Sequence, residues 1–227
     1  MLVGATAIVI CLLRLLPYWT SLSEDPGRVF LGYPYDIDDT FQQVDLAAQA
    51  REGELFFENR FSTMGDTRRL LSLTPWVTGT LARLTGAELG TAWVVVHGLL
   101  ILACVAGLYF FLGLFFREPR TRLFAFVFLV FAGGIDGLLV LTGDGLPHYW
   151  LRVLKHGLAP GTGWSFFMNT AGPVGLSGIL LMLGFVSLFI HGLRWRRNVY
   201  LVGACGMLLF LYLNQPSGAA VAIGAVV

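Results

Sequence analysis

Residues 89–116 read LGTAWVVVHGLLILACVAGLYFFLGLFF, an apolar run that contains no Asp, Glu, Lys or Arg. A transmembrane helix needs about 20 such residues, because each adds about 1.5 Å toward a hydrocarbon core about 30 Å thick. The run is long enough to cross a bilayer with some tilt, and it is far longer than a strand of a membrane barrel. It therefore predicts a membrane-spanning α-helix.

The rest of the chain repeats this apolar pattern. Of the 227 residues, 56% are hydrophobic and 13% are charged, whereas a soluble domain has about a quarter charged residues. The composition excludes a soluble enzyme and a disordered regulator, and a net charge of +1 provides no basic surface for nucleic acid. We therefore predict an all-α, polytopic transmembrane helix bundle. The predicted spans are Leu2–Trp19, Leu89–Phe116, Leu123–Leu141, Val174–Leu193 and Val199–Leu213, and a sixth begins near Ala219.

Two clusters of arginine predict the orientation of these spans. They are Arg117, Arg120 and Arg122, between the second and third spans, and Arg194, Arg196 and Arg197, between the fourth and fifth. Short cytoplasmic loops are enriched in Lys and Arg, so both clusters are predicted to be cytoplasmic. The N-terminus is then cytoplasmic as well. Residues 20–88 and the loop 142–173 are predicted to lie on the outer side.

The outer segment 20–88 is acidic and contains two predicted amphipathic helices. Eleven of the fourteen acidic residues lie between Glu24 and Glu88. The first helix is predicted to begin at Asp38 or Asp39 and to run to Glu52, with Gly53 ending it. The second is predicted over Pro75–Thr85, with Thr74 as its cap and Gly86 ending it. The first helix has a predicted polar stripe formed by Asp38, Gln42, Asp45 and Gln49, and the second has an apolar face formed by Val77, Leu81 and Leu84. Two such helices are expected to lie on the membrane surface.

The motif YDIDD, residues 35–39, places three carboxylates within four residues. Crowded carboxylates repel one another, which raises a pKa or attracts a divalent cation or a cationic partner. A carboxylate near an apolar surface also acts as a general base toward a hydroxyl. The alternative is an ordinary helix start, where acidic residues are favoured by the helix dipole.

The layout of residues 2–141 resembles the N-terminal part of GT-C fold glycosyltransferases, which are polytopic membrane enzymes. In that family one span is followed by an outer loop that opens on an acidic pair, here matched by Asp36, Asp38 and Asp39. The phrase AAQAREG, residues 47–53, resembles the end of the helix after the pair. The phrase LARLTG, residues 81–86, resembles the helix that leads into the second span.

The resemblance implies transfer of a sugar from a polyprenyl-phosphate donor to an acceptor on the outer face of a bacterial-type plasma membrane. One of Asp36, Asp38 and Asp39 would act as the base, and Asp36 and Asp38 are the candidate ligands of a divalent cation such as Mg or Mn. Arginines would steady the lipid phosphate. The candidates for contacts with substrate or phosphate are Arg60, Arg68, Arg69 and Asp136. The alternative for the arginines is an ordinary solvated surface.

Asp136 lies within the third predicted span. Placing a carboxylate inside a membrane costs free energy, so its presence there indicates a functional role. It either faces a cavity or marks an earlier end of that helix. A transporter, with Asp136 as a coupling site, and a non-catalytic assembly or anchoring protein are the alternative functions. The four histidines and three cysteines show no metal-binding spacing. Because the sixth predicted span stops at Val227, and related transferases are longer, we expect an N-terminal fragment that is inactive alone.

Overall fold

A computed structural model describes residues 2–21, 37–58, 60, 71–131, 173–214 and 216–224. Every regular element in this part of the chain is an α-helix, which confirms the predicted all-α class. The helices are α1 (Leu2–Ser21), α2 (Ile37–Glu52), α3 (Leu73–Thr85), α4 (Leu89–Leu112), α5 (Pro119–Phe131), α6 (Pro173–Trp195), α7 (Asn198–Asn214) and α8 (Pro216–Gly224).

Two of these helices, α4 and α6, are long and apolar enough to cross a membrane by length and composition. Their most apolar windows have a mean hydropathy of 2.4 and 2.2. Helix α7 and the first part of α1, Leu2–Leu12, are apolar but shorter. The predicted spans begin within a few residues of the observed helices, except that α5 begins at Pro119 rather than Leu123. The second half of the third predicted span lies outside the described residues.

Helix α4 lies at the centre of the described fold and contacts α1, α3, α5 and α6. Its buried side chains include Ile101, Cys104 and Val105, which pack with Ile10 of α1 and Leu176 of α6. The α1 contact is close at Gly98, where an added Cβ would lie 3.5 Å from Leu15 Cδ1 and 3.6 Å from Cys11 Sγ. A small residue at this position therefore lets α1 approach α4.

Helices α4 and α6 run in the same direction. The Cys104 thiol donates to the carbonyl oxygen of Leu176 at 3.1 Å. One turn further along α4, a Cβ added at Gly107 would lie 3.3 Å from Leu180 and 3.9 Å from Leu183. Later residues of α4 therefore contact later residues of α6, as expected for parallel helices. The arginine cluster after α4 and the cluster at the end of α6 therefore follow helix ends that point the same way.

Helices α6 and α7 form an antiparallel hairpin. Gly192 near the end of α6 lies against Leu201 near the start of α7, and Gly184 lies against Met207. The connection consists of Arg196 and Arg197, and Arg196 adopts a left-handed backbone conformation with φ 51°.

Helix α3 presents a small and polar surface to the rest of the protein. Its buried residues are Thr74, Pro75, Thr78, Gly79 and Ala82. Of the predicted apolar face, Leu84 is 79% exposed and Val77 is exposed as well, whereas Leu81 is half-buried. Trp76 adds a further exposed apolar side chain. An apolar outer face over a small, polar inner face is what a lipid-contacting helix presents. The predicted position of α2 and α3 at the membrane surface stays a prediction.

The glycines that were predicted to end α2 and α3 do so. Gly53 follows α2 with φ 102°, and Gly86 follows α3 with φ 69°, both in the left-handed region that glycine adopts without steric cost. The predicted starts were less accurate. Helix α2 begins at Ile37, so Asp38 and Asp39 lie inside its first turn. Helix α3 begins at Leu73, and Ser72 rather than Thr74 takes the N-cap position.

Candidate functional site

The polar face of α2 is organised around Gln49, whose side chain is 3% exposed. Its Nε2 donates to Asp45 Oδ2 at 2.9 Å, one helical turn earlier. The same nitrogen donates to the Glu58 carbonyl oxygen at 3.0 Å, and the Glu58 backbone N–H donates to Gln49 Oε1 at 2.9 Å. One buried amide thereby fixes the segment after α2 against the helix, because it satisfies both backbone polar groups of Glu58.

An ion pair extends this network toward solvent. Arg60 donates from a terminal guanidinium nitrogen to Asp45 Oδ1 at 3.2 Å. The two Asp45 oxygens therefore have different partners, Gln49 on one side and Arg60 on the other. The Arg60 side chain is 53% exposed, and this hydrogen bond uses one of its five N–H donors. The sequence placed Asp45 and Gln49 in one polar stripe, and this shared face is confirmed.

The structure brings one predicted arginine together with the helix that carries the acidic motif. Arg60 is linked to Asp45 on α2, and Asp38 and Asp39 lie in the first turn of the same helix. By helical periodicity Asp38 lies two turns before Asp45. Asp36, Arg68, Arg69 and Asp136 lie outside the described residues, so their place relative to α2 stays a prediction.

Helix α2 is attached to the rest of the protein by close packing on α3. A Cβ added at Gly79 would overlap the Ala47 carbonyl oxygen and would lie 2.6 Å from Ala50 Cβ and 2.7 Å from the Arg51 nitrogen. The backbones of the two helices therefore meet directly. Leu46 and Ala50 of α2 form a small buried cluster with Phe57, which lies in the segment after α2. The end of α2 is rigidly placed, and the position of its first turn follows from it.

Helix α3 is in turn joined to α6 and α7 by a buried polar cluster that sequence reasoning missed. The Thr74 hydroxyl donates to Ser177 Oγ at 2.7 Å, and Asn214 Nδ2 donates to the same oxygen at 2.9 Å. Ser177 itself donates to the Val174 carbonyl oxygen at 2.8 Å. The signal in the sequence is a polar residue near one end of each helix, but nothing in the sequence pairs the three.

Two polar atoms beside this cluster have no hydrogen-bond partner within the described residues. They are Oγ1 of Thr78, one turn after Thr74 on α3, and Oδ1 of Asn214. Both atoms are buried, and Thr78 has no exposed surface. The cluster thus retains unused hydrogen-bonding capacity in an otherwise apolar interior.

The histidines show no arrangement for metal binding in the part of the chain that the structure describes. His97 is fully buried in the middle of α4, and His191 packs against Trp195 with ring centroids 4.6 Å apart. Across the described ranges no group of three or more His, Cys, Asp or Glu side chains is placed to hold a metal ion. Asp36, the first predicted ligand, lies outside those ranges.

The arrangement offers a carboxylate pair at the start of a fixed helix, with a carboxylate–guanidinium pair two turns further on. Carboxylates accept protons from hydroxyl groups, and a partly exposed guanidinium donates to phosphate oxygens. Comparison of the chain with protein-family models, with curated proteins and with solved structures found no match.

Proposed function

We propose that the chain is part of a membrane glycosyltransferase that transfers a sugar from a polyprenyl-phosphate donor to an acceptor on the outer face. The observation that carries the proposal is the placement of Asp38 and Asp39 in the first turn of α2, a helix whose far end is fixed to α3. Catalysis needs a base held in a constant position relative to the membrane in which the donor lies. A helix packed on the apolar body meets that requirement.

In the proposed reaction the acceptor hydroxyl attacks the anomeric carbon of the sugar, and the bond to the lipid phosphate breaks. A carboxylate of the YDIDD motif takes the hydroxyl proton. The departing phosphate takes the electron pair and gains negative charge, which an arginine stabilises. Arg60 is the described candidate, because its side chain is 53% exposed and pairs with Asp45 through one guanidinium nitrogen, and Arg68 and Arg69 are the further candidates.

The residues of the acidic motif fit a divalent cation by the chemistry of their donors. Carboxylate oxygens are the ligands that Mg²⁺ and Mn²⁺ prefer, and Asp36 and Asp38 are the proposed ligands. When bound, the ion would neutralise part of the charge on the donor phosphate. The protein residues would still supply the proton acceptor and the orientation of the acceptor hydroxyl.

The proposal includes a membrane topology. Helices α1, α4, α6 and α7 would each cross the bilayer, together with the helix that begins with α5 and a sixth that begins with α8. The N-terminus and both arginine clusters would be cytoplasmic, in a bacterial-type plasma membrane. Helices α2 and α3 would lie at the outer surface, so the acidic motif would face the side on which the acceptor is found.

The test is transfer of radiolabelled sugar from a polyprenyl-phosphate donor by the intact protein in membranes. Asp36→Asn, Asp38→Asn and Asp39→Asn should include at least one variant whose rate falls by 100-fold or more, since general-base catalysis contributes about 10²–10⁴-fold. Glu52→Gln, an exposed acid at the far end of α2, is the matched control and should keep its activity. Wild-type transfer by all three variants at normal expression would disprove the assignment.

A further inference from the structure

Three exposed arginines lie at the end of α6 and in its connection to α7. Arg194 lies in the last turn of α6, and Arg196 and Arg197 form the connection. Within the described residues none of the three guanidinium groups makes a hydrogen bond or an ion pair, and the Arg197 backbone carbonyl accepts from the Tyr200 N–H at 3.1 Å. Residues 173–224, which form α6, α7 and α8, contain no Asp or Glu at all. Their positive charge is therefore not compensated by the helices that carry it.

A packed aromatic group lies beside these arginines. Trp195 is 51% exposed, and its ring lies 4.6 Å from His191 and 5.3 Å from Tyr200, in the latter case edge to face. The His191 and Tyr200 rings are 6.1 Å apart. Three rings from two helices thus form one surface, and exposed Trp and Tyr are the residues that anchor proteins at the head-group level of a membrane.

The backbone at Arg196 adds a second, independent observation. Its φ of 51° lies in the left-handed region, which disfavours side chains other than Gly, Asn and Asp. This conformation turns the chain within two residues and brings Arg194 and Arg197 to the same end of the hairpin. The turn therefore concentrates charge at a place where a glycine would be the less strained choice.

The surface next to the charge is apolar. Val199 and Val202 on α7 are 70% and 71% exposed, and Leu193 on α6 is exposed as well. A ligand that covers this region must combine an anionic head with a hydrocarbon chain. A soluble anion would leave the valines uncovered. An acidic peptide would not match the apolar surface that α6, a candidate membrane span, forms with α7, a shorter apolar helix.

We propose that the α6–α7 hairpin end binds the head group of an anionic phospholipid. The guanidinium groups of Arg194, Arg196 and Arg197 would contact the phosphate, and the Trp195 and Tyr200 rings would lie at the level of the glycerol backbone. The acyl chains would cover Leu193, Val199 and Val202. Arg122 shows the contrast, because its guanidinium donates to the Phe116 carbonyl oxygen at 3.0 and 3.2 Å and lies over the Tyr109 ring, 5.5 Å from its centroid.

The test measures phospholipid bound to the full chain in a neutral detergent by native mass spectrometry. Dioleoylphosphatidylglycerol is titrated against dioleoylphosphatidylcholine, and glycerol 3-phosphate and inorganic phosphate serve as soluble probes. Wild-type protein should retain phosphatidylglycerol at least 10-fold better than phosphatidylcholine and should bind neither soluble anion. Equal retention of the two lipids, or binding of the soluble anions alone, would overturn the proposal.

Variants distinguish binding at the hairpin end from a general effect of positive charge. Arg196→Gly removes one guanidinium and relieves the left-handed strain, so phosphatidylglycerol retention should fall several-fold while the melting temperature does not. The triple variant Arg194→Gln, Arg196→Gln and Arg197→Gln should lose the preference. The control Arg117→Gln with Arg120→Gln removes exposed arginines from the α4–α5 connection and the first turn of α5, and it should keep the preference. An equal loss in the control would show a delocalised charge effect and would also overturn the proposal.

Discussion

At the scale of single residues, the glycines were the most predictable feature and the hydroxyl groups the least. Gly53 and Gly86 were predicted to end helices and have the positive φ that this role requires. Thr74 was predicted to cap α3, and this was wrong. The helix begins at Leu73, so Thr74 lies inside its first turn, and its hydroxyl donates to Ser177, a residue more than a hundred positions away. No local pattern reports such a partner.

Gly79 is the residue on which the α2–α3 contact depends most directly. We expect Gly79→Ala to lower the free energy of unfolding by about 1–3 kcal/mol, because the added methyl overlaps backbone atoms that cannot rotate away. The same substitution at Gly206 on α7 meets no atom within 4 Å. It should be neutral or stabilising, by up to about 1 kcal/mol.

Thermal unfolding of the two glycine variants in detergent measures this difference. A Gly79→Ala protein that melts at the wild-type temperature would show that α2 and α3 do not meet as closely as described. If Gly206→Ala were equally destabilising, the effect would belong to helical glycines in general rather than to the crossing.

At the scale of elements, the sequence predicted which segments are helical but not which of their faces are buried. In α3 the apolar stripe of Val77, Leu81 and Leu84 is clear in the sequence. A reader who assumes a soluble protein would bury it. The structure buries Thr78, Gly79 and Ala82 and leaves Val77 and Leu84 exposed, because small residues such as Gly79 allow close contact with α2.

The contact between α3 and α6 should be measurable as a coupling energy. In a double-mutant cycle, Thr74→Val and Ser177→Ala should together cost less than the sum of their single effects. The difference should be about 0.6 kcal/mol and at most about 1.7 kcal/mol, as found for hydrogen bonds between membrane helices. The reason is that either substitution alone already breaks the 2.7 Å hydrogen bond.

The matched control for this cycle is Thr80→Val, on the same helix, combined with Ser177→Ala. Thr80 is half-buried, and its hydroxyl has no hydrogen bond in the described structure. The free energies of unfolding of this pair should be additive. A Thr74–Ser177 coupling as small as that of the control pair would contradict the role of the polar cluster in joining α3 to α6.

At the scale of the whole molecule, composition alone sufficed for the all-α class, and apolar run length sufficed for the positions of α4 and α6. The candidate site could be predicted from the sequence only in part. Helical periodicity placed Asp45 and Gln49 on one face, but Arg60 reaches that face through a turn after Gly53. The course of this turn depends on the hydrogen bonds between the Gln49 side chain and the Glu58 backbone. These two residues are nine positions apart, a spacing that no helix or strand periodicity predicts.

The parallel direction of α4 and α6 leads to a prediction about topology. Because their ends point the same way, Arg117 and Arg197 should lie on one side of the membrane. The enrichment of arginine there predicts that this side is cytoplasmic. Glu52, at the end of α2, should lie on the outer side.

The test of this topology uses single-cysteine variants. Cys11, Cys104 and Cys205 are replaced first, so that Glu52→Cys, Arg117→Cys and Arg197→Cys each present a single thiol. A membrane-impermeant maleimide should then label position 52 in intact cells, and positions 117 and 197 only after permeabilisation. Labelling of positions 117 and 197 from opposite sides would contradict the parallel packing of α4 and α6. Labelling of position 52 only after permeabilisation would reverse the orientation and would leave the acidic motif on the wrong side for an acceptor outside the cell.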